Sequence, residues 1–208
     1  MADRVVSTDV LVLGGGLAGC MAAIRAREQG AKVTVVDKAA TQRSGDAGRG
    51  FFFYNSYFNT GEPWDTAETY RQWWRDVRHG LVDMKVVDAV VIKTQPLVQQ
   101  YLEKMGVPLR DPRAGSFQED PRTGRYRLLL SPEPGKVENP RFFFRGENIK
   151  TILAKRMQEL GAQVIERVQV TSLLTADGRV IGATGFHNRD GDFYTFKAKA
   201  VVLALGSA

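Results

Sequence analysis

The stretch DVLVLGGGLAGCMAAIRAREQGAKVTVVDK, residues 9–38, decides the fold. Val10 to Leu13 is a continuous apolar run, the pattern of a parallel strand buried on both faces. Gly14, Gly16 and Gly19 follow at once as G-x-G-x-x-G. Leu17, Met21 and Ile24 then recur at helical spacing, and Ala18, Ala22 and Ala23 give that helix a slim, close-packing surface. Gly30 marks its end. Val33 to Val36 predicts a second strand, and Asp37 stands at its tip.

Each glycine has a mechanical task in such a unit. Gly14 permits the tight turn, Gly16 removes a side chain where a diphosphate must approach, and Gly19 lets helix and strand pack closely. The start of the helix offers unpaired N–H groups and the positive end of its dipole. Asp37 can accept hydrogen bonds from a ribose, and its charge would repel a 2′-phosphate. A glycine triplet alone is a weak signal. Here strand, glycines, helix, strand and acid occur in order within about 30 residues, the span of a dinucleotide-binding unit. Cys20, just inside the helix, reads as a small packing residue, since the chain has no second cysteine to resolve it.

The chain's 208 residues can bury a substantial core, and 43% hydrophobic with 25% charged content is that of a globular domain. The net charge of +6 arises from 29 basic and 23 acidic residues. The basic residues are dispersed rather than gathered in a stripe, so no nucleic-acid partner is expected. No apolar run approaches the roughly 18 residues of a membrane span. The opening MADRVVSTDV has no apolar signal segment, and the single cysteine fits a reducing compartment, so the expected location is cytoplasmic.

Beyond residue 61, TAETYRQWWRDVRH (66–79) predicts a helix with Tyr70, Trp73, Trp74 and Val77 on one core-facing side. Met84 to Met105 predicts another, broken near Pro96 and ended by Gly106 and Pro108. Residues 110–140 hold five of the eight prolines and read as irregular, with one short strand near Tyr126–Leu130. Arg141 to Arg145 reads as a strand, and Glu147 or Asn148 as the start of a helix over Ile149–Leu160. From Ala162 the chain is strand-rich, with hairpin signals at Asp177-Gly178 and Asp190-Gly191 and a last apolar strand at Ala200 to Leu205. The histidines, His79 and His187, and the loop acids Glu119 and Asp120 assemble no catalytic or metal cluster.

The segment AATQRSGDAGRGFFFYNSYFNTG (39–61) separates a flavin from a nicotinamide cofactor. A nicotinamide domain would continue into another helix and strand. This chain instead runs through a polar glycine-rich loop, Gly45, Gly48 and Gly50, into Phe51, Phe52, Phe53 and Tyr54. VVDKAATQRSGDAGRG (35–50) resembles the corresponding region of the flavoprotein subunits of fumarate reductase and succinate dehydrogenase, and more closely that of the adenylylsulfate reductase alpha subunit. FKAKAVVLALGSA (196–208) resembles the same family's late strand, and residues 145–186 match its helix and β-meander in order and length.

The resemblance implies a three-layer α/β, Rossmann-like FAD/NAD(P)-binding domain over residues 1–208, with a parallel sheet and a β-meander. It implies FAD, with Gly14, Gly15, Gly16, Leu17, Ala18 and Gly19 at the pyrophosphate and Asp37 with Lys38 at the adenosine end. Arg43, Ser44, Gly45, Gly48, Arg49 and Gly50 would lie toward the flavin. The backbone of Val170 would meet the adenine, and Ala204 and Gly206 would pass close to the cofactor. Gly45 stands where respiratory members carry a flavin-linked histidine, so the flavin should be bound noncovalently. Leu205 and Ser207 replace a threonine and a glycine of the family's last motif.

The activity implied is that of an FAD-dependent oxidoreductase acting on a small-molecule substrate and exchanging electrons with an iron–sulfur protein partner. The alternatives are an oxidase or dehydrogenase resembling aspartate oxidase or ketosteroid dehydrogenase, or a noncatalytic NAD- or adenine-nucleotide-binding module. In the resembled family the last strand leads to a capping domain and a C-terminal return that carry the substrate-binding groups. The 208 residues are therefore expected to be the N-terminal part of a longer flavoprotein, without turnover on their own. Arg49 occupies a position where many relatives have glutamine, and a cation beside the flavin ring would raise its potential by favouring negative charge on the reduced ring. Replacing Arg49 by Gln is expected to lower the flavin midpoint potential in a spectroelectrochemical titration; an unchanged potential would remove that role.

Overall fold

The computed structural model describes residues 2–49, 53–54, 57, 66–107, 116–120, 125–129 and 149–206. The chain divides into two compact units, residues 1–50 with 148–208, and residues 51–147. The first contains β1 (Asp3–Leu13), α1 (Leu17–Glu28), β2 (Val33–Asp37), a 3-10 turn (Asp46–Arg49), α5 (Ile149–Glu159), β6 (Gln163–Glu166), β7 (Val168–Ala176), β8 (Arg179–His187) and β9 (Phe193–Leu203). The second contains β3 (Phe53–Tyr54), α2 (Ala67–Val77), α3 (Met84–Val86), α4 (Gln95–Lys104), β4 (Ser116–Asp120) and β5 (Arg125–Leu129).

The six strands of the first unit form one sheet in the order β6-β2-β1-β9-β8-β7. The first four are parallel, and β7, β8 and β9 run antiparallel as a meander that shares β9 with the parallel part. Side chains alternate across a strand. Val12 therefore points to α1, its Cγ1 lying 3.4 Å from where a Cβ on Gly19 would stand. Leu11 and Leu13 point the other way and pack with Val36, Val168, Ala183 and Phe196. Helices cover one face of the parallel strands and the meander covers the other, giving the three layers. Burial on both faces is why Leu11 to Leu13 and all of β2 are apolar without alternation, save Thr34 and the terminal Asp37.

The buried side of α1 is Gly19, Cys20, Ala23 and Ile24, while Leu17 and Met21 are half-buried. This side is mostly small, Ile24 excepted, where α1 packs on β1, β2 and α5. The helix ends through Gly30, where Ala31 N–H donates to Ala26 C=O at 3.1 Å. β1 begins seven residues before the predicted Val10, and β9 seven before the predicted Ala200. These polar leading halves pair with each other from Asp3 opposite Phe193 to Thr8 opposite Ala198. Asp192 fastens them, accepting from Ala2 N at 2.8 Å and Arg4 Nε at 2.9 Å. The β7–β8 hairpin turns at Asp177 and Gly178 with φ of 49° and 73°, the doubly positive pair that an Asp-Gly hairpin turn requires.

In the second unit, α2 (Ala67–Val77) starts at a reciprocal cap in which Thr69 N donates to Thr66 Oγ1 and Thr66 N donates to Thr69 Oγ1, both at 3.1 Å. Tyr70 is buried with Val87 and Val91, and Trp73 and Trp74 pack beside them. Arg71 reaches Asp88 at 2.6 Å and Arg75 reaches Glu68 at 3.3 Å. The aromatic face is thus core. α3 (Met84–Val86) passes into a π-helical run, Val87–Thr94, before α4 (Gln95–Lys104). The changed register falls just ahead of Pro96, which has no N–H to give to the preceding turn. β3 (Phe53–Tyr54), β4 (Ser116–Asp120) and β5 (Arg125–Leu129) form an antiparallel sheet ordered β3-β5-β4. The predicted strand at Arg141–Arg145 and the helix start at Glu147 or Asn148 lie outside the described residues.

Phe196 joins the meander to the parallel strands and is fully buried. Its replacement by alanine is expected to cost about 3–5 kcal/mol, read as a lower urea midpoint with an unchanged m-value; a loss below about 1 kcal/mol by the same scale would contradict the layered core.

Candidate functional site

Three backbone segments meet where β1 ends. Gly14 turns with φ +99° and its N–H donates to Val36 C=O at 2.8 Å. A Cβ on Gly14 would stand 2.3 Å from the carbonyl oxygen of Ala204, which leaves β9 over this turn and donates its N–H to Leu13 C=O at 2.8 Å. A Cβ on Gly19 would stand 1.8 Å from Gly14 O, so α1 lies directly on the turn. Gly16 is different. Its φ of −65° and ψ of −170° suit any residue, and among the described residues a Cβ there would meet only Gly45 Cα, at 3.9 Å. Gly14 and Gly19 are bare because backbone fills the space, and Gly16 is bare beside an opening.

Gly16 is the N-cap of α1, yet among the described residues no side chain caps the free N–H groups of the first turn and no acid lies within it. Leu17 is half-buried and Ala18 exposed there. The uncapped N–H groups and the helix dipole make that opening attractive to an anion. The Gly15 peptide is held on both sides. Its N–H donates to Asp37 Oδ2 at 2.7 Å, and its C=O accepts from Ser44 Oγ at 3.2 Å and Cys20 Sγ at 3.4 Å. Asp37 Oδ1 also accepts from Ala39 N at 2.7 Å. Each carboxylate oxygen retains a lone pair for a further donor. Lys38 is exposed, and its C=O accepts from Asn188 Nδ2 at 2.8 Å.

The loop after β2 returns to this place. Ser44 is buried against Gly15, and Gly45 faces Gly16. Gly48 is packed on Arg43, where a Cβ would come within 1.9 Å of the Arg43 carbonyl oxygen, and Arg43 Nη1 reaches back to Gly48 C=O at 3.4 Å. The Arg49 side chain and Gly50 lie outside the described residues. The structure thus gathers Gly14, Gly15, Gly16, Gly19, Asp37, Ser44, Gly45 and Ala204 at one mouth. Val170 instead packs its side chain on the core cluster, in β7 at a bulge between Val170 and Ser172. Gly206, φ +85°, borders open space.

Sequence reasoning missed Lys150, Thr41 and Glu166. Lys150, on α5, is fully buried; its Nζ donates to Cys20 Sγ at 3.2 Å and to the Thr41 carbonyl. Thr41 N donates to Glu166 Oε1 at 2.7 Å. A signal for Lys150 was present, since it falls in phase with the buried stripe Leu153, Ala154 and Met157. Burial pushes the Cys20 thiol above its ordinary pKa, partly opposed by Lys150, so the sulfur remains a protonated packing group. Among the described residues no three His, Cys, Asp or Glu side chains gather as a metal site, and no helix is long and apolar enough to cross a membrane.

The FAD binding domain family matches residues 9–208. The chain belongs to that family. FAD is its cofactor, which decides the question between flavin and nicotinamide, and a glycine turn open at Gly16 before an uncapped helix fits a diphosphate. The adenylylsulfate reductase alpha subunit of Megalodesulfovibrio gigas is 28% identical over 97% of this chain and 32% of its own length. A fumarate reductase (CoM/CoB) subunit of Methanothermobacter marburgensis is 27% identical over 100% and 36%. The structure of adenylylsulfate reductase from Archaeoglobus fulgidus superposes with a TM-score of 0.74 at 30% identity, over 100% of this chain and 31% of that one. The chain spans about a third of the length of these relatives.

Replacing Gly19 by alanine sets two effects against each other. Helix propensity gains up to about 1 kcal/mol, whereas a methyl forced against the Gly14 backbone costs about 1–3 kcal/mol. The clash should win, because its neighbour is backbone rather than a movable side chain. Thermal denaturation of the apoprotein is expected to show a lower midpoint, and a raised one would refute the close approach.

Proposed function

We propose that residues 1–208 contribute the FAD-binding domain of an oxidoreductase flavoprotein of the adenylylsulfate reductase and fumarate reductase type. The domain holds FAD noncovalently and serves a small-molecule substrate, with an iron–sulfur protein as electron partner in the cytoplasm. The observation that carries this reading is the opening at Gly16, set before the uncapped start of α1 and next to the Gly15–Asp37 hydrogen bond. The relatives from Megalodesulfovibrio gigas and Methanothermobacter marburgensis are each one subunit of a reductase, which supports an assembly with other chains.

Bound FAD would supply the capacity to take up and release two electrons. The protein's part at this end is binding and orientation. The N–H groups at the head of α1 would face the diphosphate with the positive end of the helix dipole. Asp37, already fixed by Gly15 and Ala39, would accept from a ribose hydroxyl. Lys38 would stand beside the adenosine and Val170 would offer backbone to the adenine. Ser44, Gly45, Gly48, Arg43, Arg49 and Gly50 form the stretch of loop that would follow the cofactor toward the flavin, with Ala204 and Gly206 along its flank. Gly45 offers no side chain for a covalent link.

Two measurements test this. The purified protein supplemented with FAD should retain the yellow flavin spectrum through desalting and release all flavin on acid denaturation; a colourless protein would overturn the reading. Replacing Gly16 by alanine should leave the apoprotein's stability within about 0.5 kcal/mol, because the backbone there is unstrained. The added methyl should weaken FAD binding by about tenfold or more, the loss of roughly one good contact. Unchanged FAD affinity in that variant would place the diphosphate elsewhere.

A further inference from the structure

The Gly15–Gly16 peptide is the wall of the mouth, and its orientation decides what the mouth presents. In a planar trans peptide the C=O and the following N–H point in opposite directions. Gly15 C=O is turned inward, toward Ser44 Oγ and Cys20 Sγ. Gly16 N–H is therefore turned away from those two groups. A thiol is a weak donor and would hold a carbonyl loosely if free to rotate. Cys20 is not free, because its sulfur accepts from Lys150 Nζ at 3.2 Å, which leaves the S–H to serve Gly15.

The same ammonium donates to Thr41 C=O, at the root of the loop that carries Ser44. Both groups that grip Gly15 C=O are thus tied to Lys150, one directly and one through three residues of loop. Enclosing an ammonium completely costs several kcal/mol unless its donors are used. Among the described residues no carboxylate lies within ion-pair distance of Lys150. A methionine or leucine would fill this place on the α5 stripe more cheaply, so packing alone does not account for a lysine here.

We propose that Lys150 is a positioning residue for FAD, which through Cys20 and Thr41 sets the Gly15–Gly16 peptide with its N–H toward the diphosphate. The inference rests on the reading of the Gly16 gap as the diphosphate site. It predicts coupling between α5 and the mouth of α1 without any contact of Lys150 with the ligand.

The test uses the variants Lys150→Met, Cys20→Ala, Cys20→Ser and the double variant Lys150→Met/Cys20→Ala. FAD affinity is measured by fluorescence titration of the apoprotein, with the thermal midpoint and the Gly16 amide resonance of the 15N-labelled apoprotein alongside. Lys150→Met and Cys20→Ala are each expected to weaken FAD about tenfold and to shift the Gly16 amide. The double variant should be no worse than the weaker single one, and Cys20→Ser, which keeps a donor and an acceptor, should stay within about twofold. A lowered midpoint with unchanged FAD affinity and an unmoved Gly16 amide would overturn the proposal, as would losses that multiply in the double variant. Should Lys150→Met not fold, the contrast between Cys20→Ala and Cys20→Ser decides. If wild-type affinity is indifferent to Gly16→Ala, the diphosphate reading fails; a Gly16 amide that still moves in Lys150→Met would show that the peptide is positioned for some other ligand.

Discussion

The structure depends on how closely three backbones approach at Gly14. The exit of β1, the exit of β9 and the first turn of α1 meet where a Cβ on Gly14 or Gly19 would overlap main-chain oxygen. Side chains are excluded from the turn itself, so what it offers a diphosphate comes from peptide groups fixed by the sheet, with the Asp37 carboxylate beside them. Such groups need no rotamer ordering when a ligand arrives, and that lowers the entropic cost of binding. The parallel sheet makes the convergence possible. With β1 between β2 and β9, the carboxyl ends Leu13, Asp37 and Leu203 emerge on one edge, the place where open α/β sheets take their ligands.

Charge behind the mouth is arranged with the same economy. Asp37 and Lys150 carry opposite charges and both act on the neutral thiol of Cys20. The carboxylate accepts two backbone N–H groups and the ammonium is taken up by a carbonyl and a sulfur. Neither charge is left bare in the interior, where an unpaired one would be most costly. Negative charge at Asp37 opposes a diphosphate, but the two N–H donors disperse it and the head of α1 lies closer to the opening at Gly16. Attraction by the uncapped helix start should therefore dominate at Gly16, with the acid acting on the sugar side.

The β–α–β unit was legible because double burial leaves a plain mark: four consecutive apolar residues, bare glycines and a second apolar run. The polar leading halves of β1 and β9 were not, since DRVVSTD and FYTFKAK become strands only by pairing with each other across 190 residues of chain. The inner face of α1 was legible only in part: Ile24 and the close-packing Ala23 are buried as their spacing suggested, but which stripe turns inward was not written in the sequence. Leu17 and Met21 are left half-buried, while Gly19, Cys20, Ala23 and Ile24 are buried where α1 packs on the sheet and on α5. Periodicity reveals a stripe, and tertiary spacing decides which stripe faces inward. Lys150 was hidden by its charge, although its phase with Leu153 and Met157 puts it on the buried side. The break before Pro96 was visible, whereas the π-helical register that accommodates it was not.

The meander does more than cover the lower face of the sheet. Its β8–β9 turn sends Asn188 Nδ2 to Lys38 C=O at 2.8 Å, while Asn188 N donates to Arg167 C=O at 2.8 Å. Arg167 stands between β6 and β7 with φ +59°, a left-handed conformation unfavourable to a side-chain-bearing residue by about 1–2 kcal/mol. The bond from Asn188 helps to hold it there. One asparagine thus ties the exit of β2 to the kink that starts the meander, so the segment following Asp37 is fixed from three directions: by Asp37 itself at Ala39, by Glu166 and Lys150 at Thr41, and by Asn188 at Lys38. A loop anchored at Lys38, Ala39 and Thr41 can carry Ser44 and Gly45 to Gly15 and Gly16 reproducibly. The layer most remote from α1 therefore shares in shaping the mouth that α1 opens.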